Sequence, residues 1–280
     1  MFDYNPEDFL RRGRFSGEAI TSPYDLCNNE YLRQVAAGEF DWGEGVPTDV
    51  FVWAEGEPED RSVTKTGGLP YRPAGEPWPV DDEGDPRLFV AQINFTESKD
   101  ITGELPGDIL LVFAKCDRSW FEELTFEWRS LTSESLITAE EIPFHKDAFT
   151  PTYGYRCRTM NYPNAKPLFQ GKYPQLAGYE IWREYCLPCY QATQICRSPF
   201  FIHSENSGVS DDVAKALPLC VISSVQPAFD SPFPWVNQEE PIPLGHLRKT
   251  GKRHLMITDM GCLYIFMDDI QQLSWSEESY

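Results

Sequence analysis

From Val50 onward the sequence is cut into short apolar runs by proline and glycine, and that punctuation limits the fold more than any other feature. The runs FVWAE, LFVAQINF, ILLVFAKC, LTFEWRSL, PFFIHSE, CVISSV, HLMIT and CLYIFMD are rich in β-branched and aromatic residues and bounded by turn formers. That is how strands read. With 23 Pro and 19 Gly in 280 residues, long helices are excluded from most of this region, because proline removes a helix donor and glycine costs backbone entropy. ITAEEIPFH and VSDDVAKAL are expected as single short helices. Residues 225–245, VQPAFDSPFPWVNQEEPIPLG, lack periodicity and are expected to form a long ordered loop sheltering Phe229, Phe233 and Trp235.

The first 45 residues read differently. NPEDFLRRGRF and SPYDLCNNEYLRQVAAGEF each suggest an amphipathic helix, the second starting near Pro23, burying Leu26, Leu32 and Val35, and ending at Gly38. The domain organisation is therefore read as a helical segment over 1–48 packed on a main domain over 49–272, with a C-terminal tail over 273–280. Within the main domain, residues 86–94 followed by 106–113 resemble residues 199–206 followed by 260–266. Each would be a strand, a connection and a second apolar strand after a glycine turn. Two such halves around one core make a single β-rich domain with an internal pseudo-repeat.

Charge limits the partners. There are 24 Lys+Arg against 44 Asp+Glu, a net charge of −20, and 14 acidic but only 4 basic residues fall within 1–60. Nucleic acids and anionic membranes are disfavoured, because neutralising phosphates needs clustered Lys and Arg. One basic island, Arg248 to His254, is read as a hairpin turn. No apolar run approaches the roughly 20 residues of a membrane span, and the N-terminus lacks the pattern of a secretory signal. The expected location is the cytoplasm. There, the eight cysteines are read as reduced. Cys116 and Cys262 flank strand-like runs and are expected as small buried hydrophobes. Cys186 and Cys189 form a CxxC pair that, with Cys196, could hold a structural zinc; ordinary thiols are the alternative. No other cofactor is indicated.

Catalytic motifs are missing. Lys65 precedes Gly67-Gly68 and Leu-Pro-Tyr follows, so no phosphate-cradling loop opens a helix; a turn with positive φ is the better reading. DDEGD at 81–85 lacks the twelve-residue spacing of a calcium loop and reads as a solvated turn. Neither GxSxG nor HExxH occurs.

The string Thr64-Lys65-Thr66-Gly67-Gly68-Leu69-Pro70-Tyr71 is followed by Gly75-Glu76-Pro77-Trp78-Pro79, by Leu88 to Phe95 and by Leu105-Pro106-Gly107-Asp108. Together with Met260 to Phe266, these resemble the YwqG-like family over roughly residues 50–270. One cysteine of that family's CxxC-like element stands as Thr193 here. The resemblance implies an α+β fold, mostly antiparallel sheet with an internal pseudo-repeat, and no established catalytic activity. Some members sit in bacterial toxin–immunity settings.

That setting turns the acidic balance into an expectation: a non-enzymatic immunity protein that binds and neutralises a cognate toxin, most simply a basic nuclease. The candidate contacts are Glu55, Glu57, Glu59 and Asp60, then Asp81, Asp82, Glu83 and Asp85, with Trp53, Tyr71 and Trp78 as aromatic anchors. The alternatives are an enzyme or small-ligand binder with a pocket between the half-repeats, lidded by 225–245, or a housekeeping zinc protein.

Overall fold

Among the described residues of the computed structural model every strand pairing is antiparallel, and the strands join into one ten-stranded sheet. The residues described are 44–117, 120–132, 135–143, 148–161, 193–199, 201, 216–225, 253–259 and 261–279. The strands are β1 Val46–Glu55, β2 Lys65–Thr66, β3 Leu88–Asn94, β4 Ile109–Asp117, β5 Trp120–Arg129, β6 Thr152–Asn161, β7 Gln194–Ile195, β8 Leu217–Ser223, β9 Cys262–Met267 and β10 Leu273–Glu278. Their order across the sheet is β10-β9-β8-β7-β1-β6-β2-β3-β4-β5. The sheet curls into a nearly closed barrel, so that Leu124, Phe126 and Trp128 of β5 and Leu273 and Trp275 of β10 pack on one interior core.

The α+β expectation is corrected by this sheet. Among the described residues helix is confined to α1, Lys99–Thr102, which Gly103 ends, and a 3-10 turn at Ala139–Glu141. The turn is all that becomes of ITAEEIPFH: Pro143 follows it, and a proline bars the residue before it from helical geometry. VSDDVAKAL lies outside the described residues up to Lys215, and its Leu217 already belongs to β8. Most of the expected helical segment 1–48 also lies outside them, but β1 begins within it, at Val46. Likewise β10 occupies the residues expected as a tail.

The strand order reads the same from either end when β1–β5 are exchanged for β6–β10. The short strands cross over: β2 of the first half pairs with β6 of the second, and β7 of the second pairs with β1 of the first. Hydrogen bonds repeat position for position. Thr64 Oγ1 accepts from Asn94 N at 3.0 Å, and Thr193 Oγ1 accepts from Ser223 N at 3.1 Å. Phe51 N donates to Thr193 O at 3.0 Å, and Gly154 N donates to Thr64 O at 2.9 Å. Phe95 N to Asp108 O at 2.8 Å is matched by Ser224 N to Gly261 O at 3.0 Å. Even the irregularities coincide, since β3 shifts register between Phe89 and Ala91 and β8 between Pro218 and Cys220.

The structure therefore places the repeat elsewhere than 199–206. The counterpart of β3 is β8, while Pro199 and Phe201 belong to no strand and 202–206 lie outside the described residues. Pro218 disguises β8 in sequence; a proline is tolerated in a strand at a bulge, which is where it sits.

Inner and outer faces follow the period-two alternation. Leu110, Val112 and Ala114 of β4 face the interior, as do Leu263, Ile265 and Met267 of β9. Ile109, Leu111 and Phe113 pack outside with Tyr71 and Phe89, and Cys262, Tyr264 and Phe266 do so with Cys196 and Val221. Each half thus makes two apolar layers, one shared and one its own. Gly154 lets the central pair β1–β6 close, since a Cβ there would stand 2.9 Å from that of Phe51.

Candidate functional site: an acidic loop on a clamped cover

The outer layer of the first half is covered by the segment from Gly56 to Arg87, and that segment carries the acidic candidates. Its backbone is fixed by polar side chains projecting from the sheet. Gln92 Nε2 donates to the carbonyls of Arg61 (2.8 Å) and Val63 (2.7 Å), while its Oε1 accepts from Tyr71 N at 2.7 Å. Asn94 Nδ2 donates to Ser62 O at 2.8 Å. A buried amide that meets three backbone groups rigidifies the strand it touches.

Glu57 is bound by the fully buried Lys65 ammonium and accepts from Leu69 N at 2.8 Å. Burial pushes the Lys65 ammonium down from its ordinary pKa, and Glu57 partly restores it. Gly67 and Gly68, at φ of 61° and 69°, make the expected left-handed turn between them. A Cβ on Gly68 would run into the Glu57 carboxylate, so this turn takes glycine for shape and for space. Farther along, Arg72 donates from Nε to Glu127 Oε2 at 2.9 Å and from Nη2 to Pro77 O at 2.6 Å, and its guanidinium lies over the Trp78 ring. Arg129 joins Glu76 to Glu127. The cover is clamped by charge to β5.

These contacts sort the predicted site residues. Trp53 and Tyr71 are 8% and 6% exposed and belong to the two apolar layers. Trp78 packs edge-on against Phe113 with centroids 5.3 Å apart and donates to Arg87 O at 2.8 Å. Glu55 faces His254 at 3.3 Å, and Glu57 serves Lys65. All five are occupied within the fold. Glu59 and Asp60 are exposed, Asp60 accepting from Ser62 N and Oγ at 2.9 and 2.6 Å.

Asp82, Glu83 and Asp85 are exposed together at one tip. Asp81 orders them: its Oδ1 accepts from Glu83 N at 3.0 Å and from Asp85 N at 2.9 Å. The Asp85 amide in particular holds the Asp81 carboxyl below the usual range. Trp78 and the Val80–Pro86 bridge anchor the base of the loop. Lys115 reaches Glu83 at 3.4 Å, and Arg87 reaches Glu123 at 2.8 Å, so the loop sits on two cations yet keeps a surplus of carboxylates outward.

Among the described residues, Asp81, Glu83 and Asp85 are the one group of three His, Cys, Asp or Glu ligand atoms lying within 4.8 Å of one another. For the zinc expectation, Cys186 and Cys189 lie outside the described residues, while Cys196 is fully buried beside Val221, Cys262 and Tyr264. Cys262 is fully buried too, and burial pushes its thiol up to about 12, which suits a small hydrophobe. Thr193 does structural work as the acceptor for Ser223.

Two features have no signature in the sequence motifs. Asp49, fully buried within β1, receives Arg156, Arg158 and Ser98 Oγ (2.6 Å), tying α1 to the barrel. An open polar hollow lies between Phe95, Lys99, Glu104, Leu105, Asp108 and Ser130. It belongs to the loops of the first half, and Lys99 and Glu104 pair across it at 3.5 Å. Spacing could not have found the first, because Asp49, Ser98 and the two arginines come from distant segments; the hollow is lined almost wholly by the one stretch 95–108, joined by Ser130. No described helix is long and apolar enough to cross a membrane.

Residues 64–135 match the model of a family described as a domain of unknown function, DUF1963. The matched span takes in β2 to β5, the acidic loop and the clamp that holds it. No curated protein matches the sequence.

Proposed function

We propose that this chain is a non-enzymatic acidic binding protein of the YwqG-like kind, an immunity protein that captures a basic toxin, with the loop Asp81–Asp85 at the centre of the contact. The observation that carries the reading is a carboxylate cluster which is both exposed and already ordered by Asp81 and Trp78. Order before binding matters, because each side chain that need not be immobilised spares about 0.5–1.5 kcal/mol of association free energy. A nuclease toxin presents cations toward nucleic-acid phosphates, and an acidic surface competes for those cations. The net charge of −20 would steer the encounter over distances set by the Debye length, about 8 Å at physiological salt. Zinc and catalysis have no role in this reading.

The test is calorimetric titration of the full chain with the protein encoded by the adjacent gene, at several salt concentrations. Binding at micromolar or tighter affinity, weakening steeply with salt, is expected. Absence of heat at micromolar concentrations, or affinity indifferent to salt, would remove the reading.

A further inference from the structure

The correspondence of the halves singles out one residue. Interior-facing on β5 are Leu124, Phe126 and Trp128, and Trp128 packs on Phe95 with ring centroids 5.7 Å apart. Because Ile109 pairs with Arg129 as Cys262 pairs with Glu278, the matching positions on β10 are Leu273, Trp275 and Glu277. A carboxyl group stands where the first half has an indole. Opposite it on β9 is Leu263, a core residue. The position equivalent to Phe95 is Ser224, whose hydroxyl is shared between the carbonyls of Ile257 (3.2 Å) and Gly261 (3.0 Å) and accepts from Ile257 N at 2.9 Å. One Glu277 oxygen, Oε1, is shut off from solvent and has no hydrogen-bond partner among the described residues.

We propose that Glu277 is a proton-controlled latch on edge strand β10, seating the strand against the barrel when uncharged and loosening it when ionised. β10 is the natural element to respond, since among the described strands it pairs with β9 alone. The interior-facing residues of β9 (Leu263, Ile265, Met267), of β5 (Leu124, Phe126, Trp128) and of β10 itself (Leu273, Trp275) belong to one apolar core and carry no charge. Of the nearby titratable groups, Cys262 and Glu278 face each other on the outer side of the sheet, and Asp259 is exposed in the turn before β9. Among the described residues, an ionised Glu277 therefore meets apolar surface without compensation, which is the costly case for a carboxylate.

Burial pushes the Glu277 carboxyl up to about 7, above its unfolded value of roughly 4.3. A raised folded value means that the folded chain holds the proton longer. Its stabilisation is complete below the unfolded value and is lost as pH rises through the folded one. Since Oε1 is shielded, a proton reaches it more readily than any bulky cation.

Amide exchange of β10 at pH 5.5 and 8.5, corrected for intrinsic rates, tests the latch against Glu277→Gln. Protection of the Trp275 and Glu277 amides in the wild type should fall about tenfold over that range, a value kept well below the full linkage shift because the side chain is partly solvated. The Gln variant should show no such fall. Equal pH dependence in both proteins would overturn the proposal. So would a carboxyl carbon-13 titration of wild-type Glu277 centred at the ordinary value, a readout that stands even if the variant does not fold.

Discussion

The two halves of the barrel share a framework and differ in what is laid over it. Leu110, Val112 and Ala114 in one, and Leu263, Ile265 and Met267 in the other, line a common interior from matching strands. Thr64 and Thr193 make the same bond to the neighbouring strand. Outside, the halves part: the first wears a cover held by Gln92, Lys65 and the Arg72–Glu127 pair. The equivalent of Lys65 in the second half is the neutral Gln194, and that of Gln92 is Val221. Framework positions are thus set by apolar period, whereas buried charge fastens particular segments, the cover through Lys65 and Arg72 and α1 through Asp49. The acidic loop is a property of the cover, so binding and folding should be separable.

The largest effect expected is from the shared interior. Leu110→Ala and Leu263→Ala should each cost about 2–5 kcal/mol in urea denaturation, because both leave a cavity in a fully packed layer. Similar losses support one cooperative barrel; a variant whose first half stays folded while the second melts would break the comparison.

A smaller, matched effect should come from the threonines. Thr64→Val and Thr193→Val each remove one buried acceptor while keeping the shape, and each should cost about 1 kcal/mol by the same measurement. A large asymmetry would show that the repeated bonds do unequal work. The smallest effect belongs to the loop. Asp82→Asn, Glu83→Gln and Asp85→Asn are surface changes and should move stability by less than about 0.5 kcal/mol each, since the ordering carboxylate Asp81 is retained.

Much of the strand framework was legible in sequence, because LFVAQINF, ILLVFAKC, CVISSV and CLYIFMD carry their burial in consecutive apolar residues. β6 was not read. Its interior face bears Gly154, Arg156 and Arg158, so the alternation with Tyr153 and Tyr155 looks polar until Asp49 and Phe51 are seen opposite. β10 has polar residues throughout apart from Leu273 and Trp275, and β2 and β7, two residues each, are defined by their neighbours alone. HLMIT reads as a strand but forms none; it is held beside the sheet by single contacts, Val225 N to Leu255 O at 2.8 Å, Gly261 N to Ile257 O at 2.7 Å and His254 to Glu55 at 3.3 Å. The repeat was visible at Met260 to Phe266 and misplaced at 199–206, since β3 and β8 keep an apolar pattern and a bulge in common while their letters differ. Of the candidate site, exposure could be read for the DDEGD turn, which no apolar neighbour claims. The commitment of Trp53, Tyr71, Glu55 and Glu57 to internal partners could not, because His254 and Lys65 reach them only through the fold.

The measurement that bears most directly on this separation of binding from framework is a paired one. The affinity for the basic partner and the melting temperature are compared between the wild type and the triple variant Asp82→Asn, Glu83→Gln, Asp85→Asn. A loss of affinity of about tenfold or more, as for removal of several interfacial charges, with an unchanged melting temperature is the predicted result. Undiminished affinity, or affinity and melting temperature falling together, would contradict it.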